Sequence, residues 1–273
     1  VGLPGERIQL QRGDLLVNGE VQRKAYEIQK SMRILVHDQG LPAEAKELPW
    51  EPRWHPDGAW RQEEQGFALD EKRTPEEVER PWSVLQYKHW VRAGGNYITT
   101  QSLEKLPDGV TLPAGNWFPV EYKPELKELM CRGVMSEETL SRLTGLSPQA
   151  DYQSALRSLR DASHLSPVGD VCAYNSPNAA GTYFVPDLMV CCHVEYRGGE
   201  GGLRLVIDSG RGEYSADFDF AEKRVSIRKE GDQQPLRSQA FPRDAFQRGA
   251  RIEFSVFDRQ ALLAINDELA MEP

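Results

Sequence analysis

The sequence predicts a mainly β protein: a β-sandwich with a small helical insertion, preceded by a short β-meander. Three observations predict it. From Asp170 onward apolar residues alternate with polar ones, and turn residues recur about every 8–12 positions, the spacing of sandwich strands. Two-residue hairpin signals stand near both ends of the chain, Asn18-Gly19 and Asn266-Asp267. Helical periodicity with capping residues is confined to the middle, over about residues 124–165.

A length of 273 residues suffices for one large core or two modest ones. No apolar run approaches the roughly 18 residues of a membrane span. The net charge of −9 disfavours a sequence-independent grip on nucleic acid, which needs clustered Lys and Arg. It reads instead as a solvated acidic surface. The cysteines are Cys131, Cys172, Cys191 and Cys192, with no C-x-x-C pair and no Cys/His zinc spacing, so no metal and no cofactor is expected. Cys191 and Cys192 are adjacent in a strand pattern and should face opposite ways. An oxidising setting would permit a bridge from Cys172 to one of them; otherwise all four read as small buried hydrophobes.

The elements follow in order. Gly2, Pro4 and Gly5 set a rigid turn, because proline fixes φ and glycine permits positive φ. Ile8 and Leu10 alternate with polar residues as in a half-buried strand, Arg12-Gly13-Asp14 turns the chain, and Leu15–Val17 forms a second strand closed by Asn18-Gly19. Val21–Lys30 starts a short helix. Met32–Val36 is a strand-like run ending at His37-Asp38; a carboxylate can orient an imidazole, but no nucleophile motif stands beside the pair, so it reads as a strand end and a turn. Residues 39–81 are rich in proline, tryptophan and charge. Within them Trp54-His55-Pro56-Asp57-Gly58-Ala59-Trp60 reads as a tight hairpin with aromatics on both arms, and Trp82–Val91 follows as a strand.

Pro124–Arg132 reads as a short helix with Leu126, Leu129 and Met130 on one side. Ser136 caps a helix that carries Glu137 and Glu138 in its first turn, presents Leu140 and Leu143, and stops at Gly145. Ser147-Pro148 opens another, with Tyr152, Leu156 and Leu159 on one face. The pair has the spacing of a helix-turn-helix, which keeps a DNA-binding regulator through residues 136–163 as one alternative. Its charge argues against that: three arginines (Arg142, Arg157, Arg160) meet four acids (Glu137, Glu138, Asp151, Asp161), where a phosphate-binding face would be basic.

In the β half, Val190, Cys192, Val194 and Tyr196 share a face, and Leu203, Leu205 and Ile207 form the next strand. Asp208-Ser209-Gly210-Arg211 then reads as a hairpin turn. Tyr214, Ala216, Phe218 and Phe220 alternate, Ala221-Glu222-Lys223 turns into Val225 and Ile227, and Ile252, Phe254 and Val256 lead through Phe257-Asp258-Arg259 to Leu262–Ile265. The order of features from Phe257 to Asp267 is similar to a laminin-G or concanavalin-like jelly roll, with Asn266-Asp267-Glu268 in place of the usual D-G tip.

The opening words carry a second resemblance. Gly2-Leu3-Pro4-Gly5-Glu6, a short strand, a G-D turn and Val17-Asn18-Gly19 resemble the segment after the catalytic lysine of type I signal peptidases, membrane-anchored serine endopeptidases with a Ser/Lys dyad. The likeness covers about the first twenty residues. In that family the lysine would stand three positions before Val1 and the serine further upstream. The later G-D-N-x-x-x-S-x-D-S-R box has its nearest counterpart at Asp208-Ser209-Gly210-Arg211, without the preceding glycine and asparagine. The resemblance implies that residues 1–38 are a signal-peptidase-like β segment. Residues 39–273 would then be a jelly-roll β-sandwich domain inserted between two catalytic boxes. It implies no catalytic residue in this chain, an extracytoplasmic setting, a membrane-anchored parent and exported preproteins as partners.

A different class stays open beside it. Trp54, Trp60, Trp82 and Trp90 are candidate stacking platforms for a glycan or another envelope component, and Tyr174 and Asn175 are candidate ligand contacts at the start of the β half. The same aromatics suit a core.

Overall fold

A computed structural model describes residues 2–11, 13–41, 52–70, 82–92, 98–113, 118–170, 183–199, 201–242 and 244–271. The chain is mainly β, built of antiparallel sheets with three helices among the described residues. It forms two compact units: Val1–Arg33 together with Val185–Pro273, and Ile34–Phe184, which lies between those two ranges in sequence. This grouping cuts across the 1–38 and 39–273 division read from the sequence, because the leading segment packs on the last strands of the chain.

In the first unit, β1 (Ile8–Gln11), β2 (Asp14–Val17) and β3 (Glu20–Val21) form the expected meander. Asn18 (φ 55°) and Gly19 (φ 89°) adopt the left-handed conformation that closes a tight hairpin, with Val17 paired to Glu20. β1 is not half-buried as its alternation suggests: Leu10 is 80% exposed and Ile8 41%. Helix α1 (Tyr26–Met32) follows. The strand-like run after it does not form a strand; Met32 ends the helix and residues 33–38 have no regular structure.

The second unit contains β4 (Trp54–Pro56), β5 (Trp60–Glu63), β6 (Gly66–Leu69), β7 (Leu85–Tyr87), β8 (Ile98–Ser102), β9 (Val120–Lys123) and β10 (Glu128–Arg132). Trp54–Trp60 is not a hairpin. β4 pairs with β7, and β5 turns back onto β6, so Trp54 and Trp60 belong to different two-stranded sheets. The strand expected over Trp82–Val91 shortens to β7. The helix expected over Pro124–Arg132 is instead the β9–β10 hairpin: Lys127 takes a left-handed conformation (φ 53°) and closes the turn, Leu129 and Cys131 point inward with period two, and Leu126 lies 61% exposed. The helical excursion therefore comprises α2 (Glu137–Thr144) and α3 (Ala150–His164). Ser136 caps α2 as expected, its hydroxyl accepting from the Thr139 amide. Leu143, Tyr152, Leu156 and Leu159 are buried with Leu129, Cys131 and Met135 against the β8-β10-β9 sheet.

The first unit resumes with β11 (Leu188–Val194), β12 (Gly202–Asp208), β13 (Glu213–Asp219), β14 (Arg224–Lys229), β15 (Arg237–Ala240), β16 (Ala250–Phe257), β17 (Gln260–Ile265) and β18 (Glu268–Met271). They make two four-stranded antiparallel sheets, β11-β16-β17-β18 and β12-β13-β14-β15. Ile207, Tyr214, Ala216, Phe218, Val225 and Ile227 from one meet Ile252, Phe254, Val256, Ala261 and Leu263 from the other in a single core. That is a β-sandwich, and its inward residues are those the alternation names. Asp208-Ser209-Gly210-Arg211 is the β12–β13 turn, as read, with Asp208 paired to Glu213.

One face of the sandwich is covered in a way alternation does not announce. The outward residues of β16 and β17 are also buried, because α1 lies over them: Tyr26 packs on Leu262 and Ala264. Glu253, outward on β16 and 2% exposed, accepts from the Tyr26 hydroxyl, from Arg33 Nη1 at 2.7 Å and from Arg251. Ser255 donates to Gln29 Oε1 at 2.9 Å. The Tyr26 hydroxyl and the Gln29 carbonyl thus meet partners on the strand below, and Gln29 Nε2 donates to Lys24 O at 2.8 Å, so the polar groups the helix buries are satisfied, as burial requires.

Candidate functional site

The residues that carry the family resemblance build the two turns of the meander. Glu6 N donates to Leu3 O at 3.1 Å, the Glu6 carboxylate accepts from Leu3 N at 2.6 Å, and Gly5 has φ 91°. A side chain at Gly2 would meet Ile8 Cγ1 at 2.7 Å, so the strand can follow closely only if that position is bare. Asn18 exchanges two bonds with Arg7, its Oδ1 accepting from Arg7 N and its amide donating to Arg7 O, both at 2.9 Å. Every residue of the two matching strings other than Val17, which pairs across the hairpin, thus has a turn-forming or turn-locking role.

Among the tryptophans proposed as platforms, Trp90 is 3% exposed and stacks on His164 with ring centroids 4.7 Å apart, so its ring is committed to the interior. Trp54 is half-buried, edge-on to Tyr87 at 5.2 Å. Trp60 donates its indole N–H to Ser83 O at 3.0 Å, which sets it beside the residue after Trp82, itself 40% exposed. Tyr174 and Asn175, and with them Cys172, lie outside the described residues. Cys131, Cys191 and Cys192 are free thiols, and among the described residues no cluster of His, Cys, Asp or Glu could hold a metal ion. Of the arginines on α2 and α3, Arg160 is buried and pairs with Glu137 and Asp161, and Arg142 lies over the Phe118 ring.

A site the sequence does not announce lies where the meander meets the sandwich. A cavity of about 570 Å³ opens among the chain just after β3, the segment before β11, the β12–β13 turn and the β16–β17 turn. Among the described residues, four basic side chains line it, Arg23, Arg211, Lys229 and Arg259, against one carboxylate, Asp187. Asp14, at the start of β2 and 2% exposed, anchors the wall. Arg211 Nη1 reaches its two oxygens at 2.9 and 3.0 Å, and Arg259 reaches Oδ2 with Nε at 2.9 Å and Nη2 at 2.7 Å. Two guanidiniums thus converge on one buried carboxylate. Arg259 is placed by its own left-handed backbone (φ 58°) in the β16–β17 turn, after Asp258 (φ 49°). Asp258 in turn binds Lys24 Nζ at 2.8 and 3.0 Å, which ties the segment after the meander to the same turn.

Burial pushes the Asp187 carboxyl up, with the charges of Asp258 and Asp14 adding to it; the Asp258 amide, donating to Oδ1 at 3.2 Å, offsets part of this. The unfolded chain sheds that proton at lower pH than the folded one, so ionised Asp187 opposes folding above the usual carboxylate range. Asp187→Asn keeps the acceptor oxygen and is expected to raise the melting temperature at pH 7, with the gain shrinking as the pH falls through the carboxylate range. Melting curves of both proteins at pH 7 and within the carboxylate range check this, and an unchanged or lowered melting temperature at pH 7 contradicts it.

Comparison of the chain with protein-family models, with curated protein sequences and with solved structures finds no match. Among the described residues no helix is long and apolar enough to cross a membrane.

Proposed function

We propose that this chain is the extracytoplasmic, non-catalytic part of a signal-peptidase-I-like serine endopeptidase that processes exported preproteins, with the jelly-roll-like sandwich as an accessory domain. The observation that supports it is the meander itself. The residues matching the family strings, Gly2–Glu6 and Val17–Gly19, are the ones whose backbone bonds and positive φ values build its turns. β1 also has β2 as its one strand neighbour among the described residues, and Leu3, Ile8 and Leu10 beside that edge are exposed. An apolar strand edge of this kind suits continuation of the sheet by a protease domain.

In such an enzyme a serine hydroxyl attacks the carbonyl at a small-residue cleavage site, and a neutral lysine amine, its pKa lowered by burial, takes the proton. Neither residue is assigned within this chain. The chain alone is therefore expected to show no turnover of a signal-peptide substrate. Extended by its natural flanking sequence it should cleave, and substitution of the lysine three positions before Val1 should abolish that cleavage. Turnover by the chain alone, or a flanking sequence without that lysine, overturns the reading.

A further inference from the structure

We propose that the cavity between the meander and the sandwich is an anion-binding site that takes the oxyanion of a small ligand, a sugar phosphate or a sugar acid. The inference is independent of the protease reading.

The charge count carries it. The structural need of this region is to satisfy one buried carboxylate, Asp14, and Arg211 and Arg259 do so together. Set against Asp14 and the lining carboxylate Asp187, these two guanidiniums leave no excess. Arg23 and Lys229 add two more, and neither forms an ion pair among the described residues. Arg23 has no hydrogen-bonding partner there, and Lys229 lies over the Tyr214 ring, 5.8 Å from its centroid. Four cations thus surround one cavity on a chain whose net charge is −9, where the overall composition supplies more acids than bases. Self-repulsion among them is a cost that folding does not require, and an anion in the cavity removes it.

The geometry suits an oxyanion. The Asp14 bonds fix both guanidiniums in orientation, so little rotamer freedom is left to lose on binding. Arg23 comes from the chain just after β3 and Lys229 from the end of β14, so the cations approach from different elements. A volume of about 570 Å³ lies within the range of small-molecule sites and exceeds what a bare phosphate fills, leaving room for the body of a sugar. Tyr214 and Val256 supply apolar surface on its wall. Among the described lining residues Asp187 is the carboxylate that opposes an anion, while Asp14 is already matched by Arg211 and Arg259.

Calorimetric titration at low salt with inorganic phosphate, D-glucuronate and D-glucose tests the site. Saturable binding of phosphate or glucuronate, and none of glucose, is expected. Phosphate alone assigns a phosphoryl ligand, glucuronate alone a carboxylate. Arg23→Ala and Lys229→Ala, which remove no ion pair formed among the described residues, should each weaken binding about tenfold, the loss of one charge-assisted bond, without lowering the melting temperature. Arg142→Ala, in the other unit, should leave binding unchanged. Absence of saturable binding by both anions, or binding indifferent to Arg23→Ala and Lys229→Ala, overturns the proposal.

Discussion

Glu253→Ala is expected to destabilise the sandwich unit by about 3 kcal/mol and to release α1 before the rest unfolds. The carboxylate is 2% exposed and is the common acceptor for the Tyr26 hydroxyl, Arg33 and Arg251. Without it the two arginines, 39% and 42% exposed, can turn to water, but the Tyr26 hydroxyl stays buried with no acceptor. A seven-residue helix has no stability of its own, so α1 holds its shape through these contacts, the Ser255–Gln29 bond, the Lys30–Asp267 ion pair and the packing of Tyr26 on Leu262 and Ala264. Hydrogen exchange of residues 24–33 reads the local effect, and urea unfolding reads the total. Exchange in that segment unchanged by the substitution would refute the account. Acid should mimic the variant in part. Burial pushes the Glu253 carboxyl up, but the bonds from Tyr26 and Arg33 and the charges of Arg251 and Arg33 outweigh it and hold the group below its ordinary value. A depressed carboxyl stabilises the fold above the unfolded value, and this contribution is lost as the pH falls through the folded one.

How the sequence discloses this protein depends on the distance over which a signal acts. Asn18-Gly19 and the strands from Gly202 to Met271 are legible because a turn needs only adjacent residues and alternation only a few more. The 124–132 hairpin is not, because Leu126, Leu129 and Met130 fit a helical stripe as well as they fit a strand, and the deciding feature is the positive φ of Lys127, a residue with no special liking for it. Glu253 and Ser255 look like solvent-facing positions of an alternating strand. Only the helix from the far end of the chain turns them into a buried network, at sequence separations of 220–227 residues. The cationic cavity was hidden for the same reason. Asp14 reads as a turn residue, and its partners Arg211 and Arg259 lie 197 and 245 positions away. The family strings were legible as words, and the structure adds their mechanical role in the turns.

The unit formed by residues 34–184 is expected to lose about 3 kcal/mol of stability between pH 6.5 and about 4, through His89. This imidazole is 8% exposed, and its Nδ1 lies 3.0 Å from the Tyr87 hydroxyl. Burial, with the charges of Arg53 and His37 adding to it, pushes its pKa from 6.5 down to about 4. The sign follows from which state takes up the proton. Below 6.5 the unfolded chain binds it and the folded chain does not, so acidification favours unfolding until the folded imidazole is itself charged. The stabilisation is complete above 6.5 and gone near 4. All six tryptophans fall within residues 34–184, so their fluorescence follows this unit alone. Urea unfolding monitored in this way should show a marked loss of stability from pH 7.5 to 4.5. His89→Gln keeps a hydrogen-bonding group for Tyr87 but cannot titrate, and it should flatten the dependence over that interval whatever it costs at pH 7.5. An equally steep dependence in the variant would assign the acid lability to carboxylates instead. In mild acid the tryptophan-bearing unit is expected to lose stability first, while the sandwich, held by carboxylates that ionise at lower pH, stays folded.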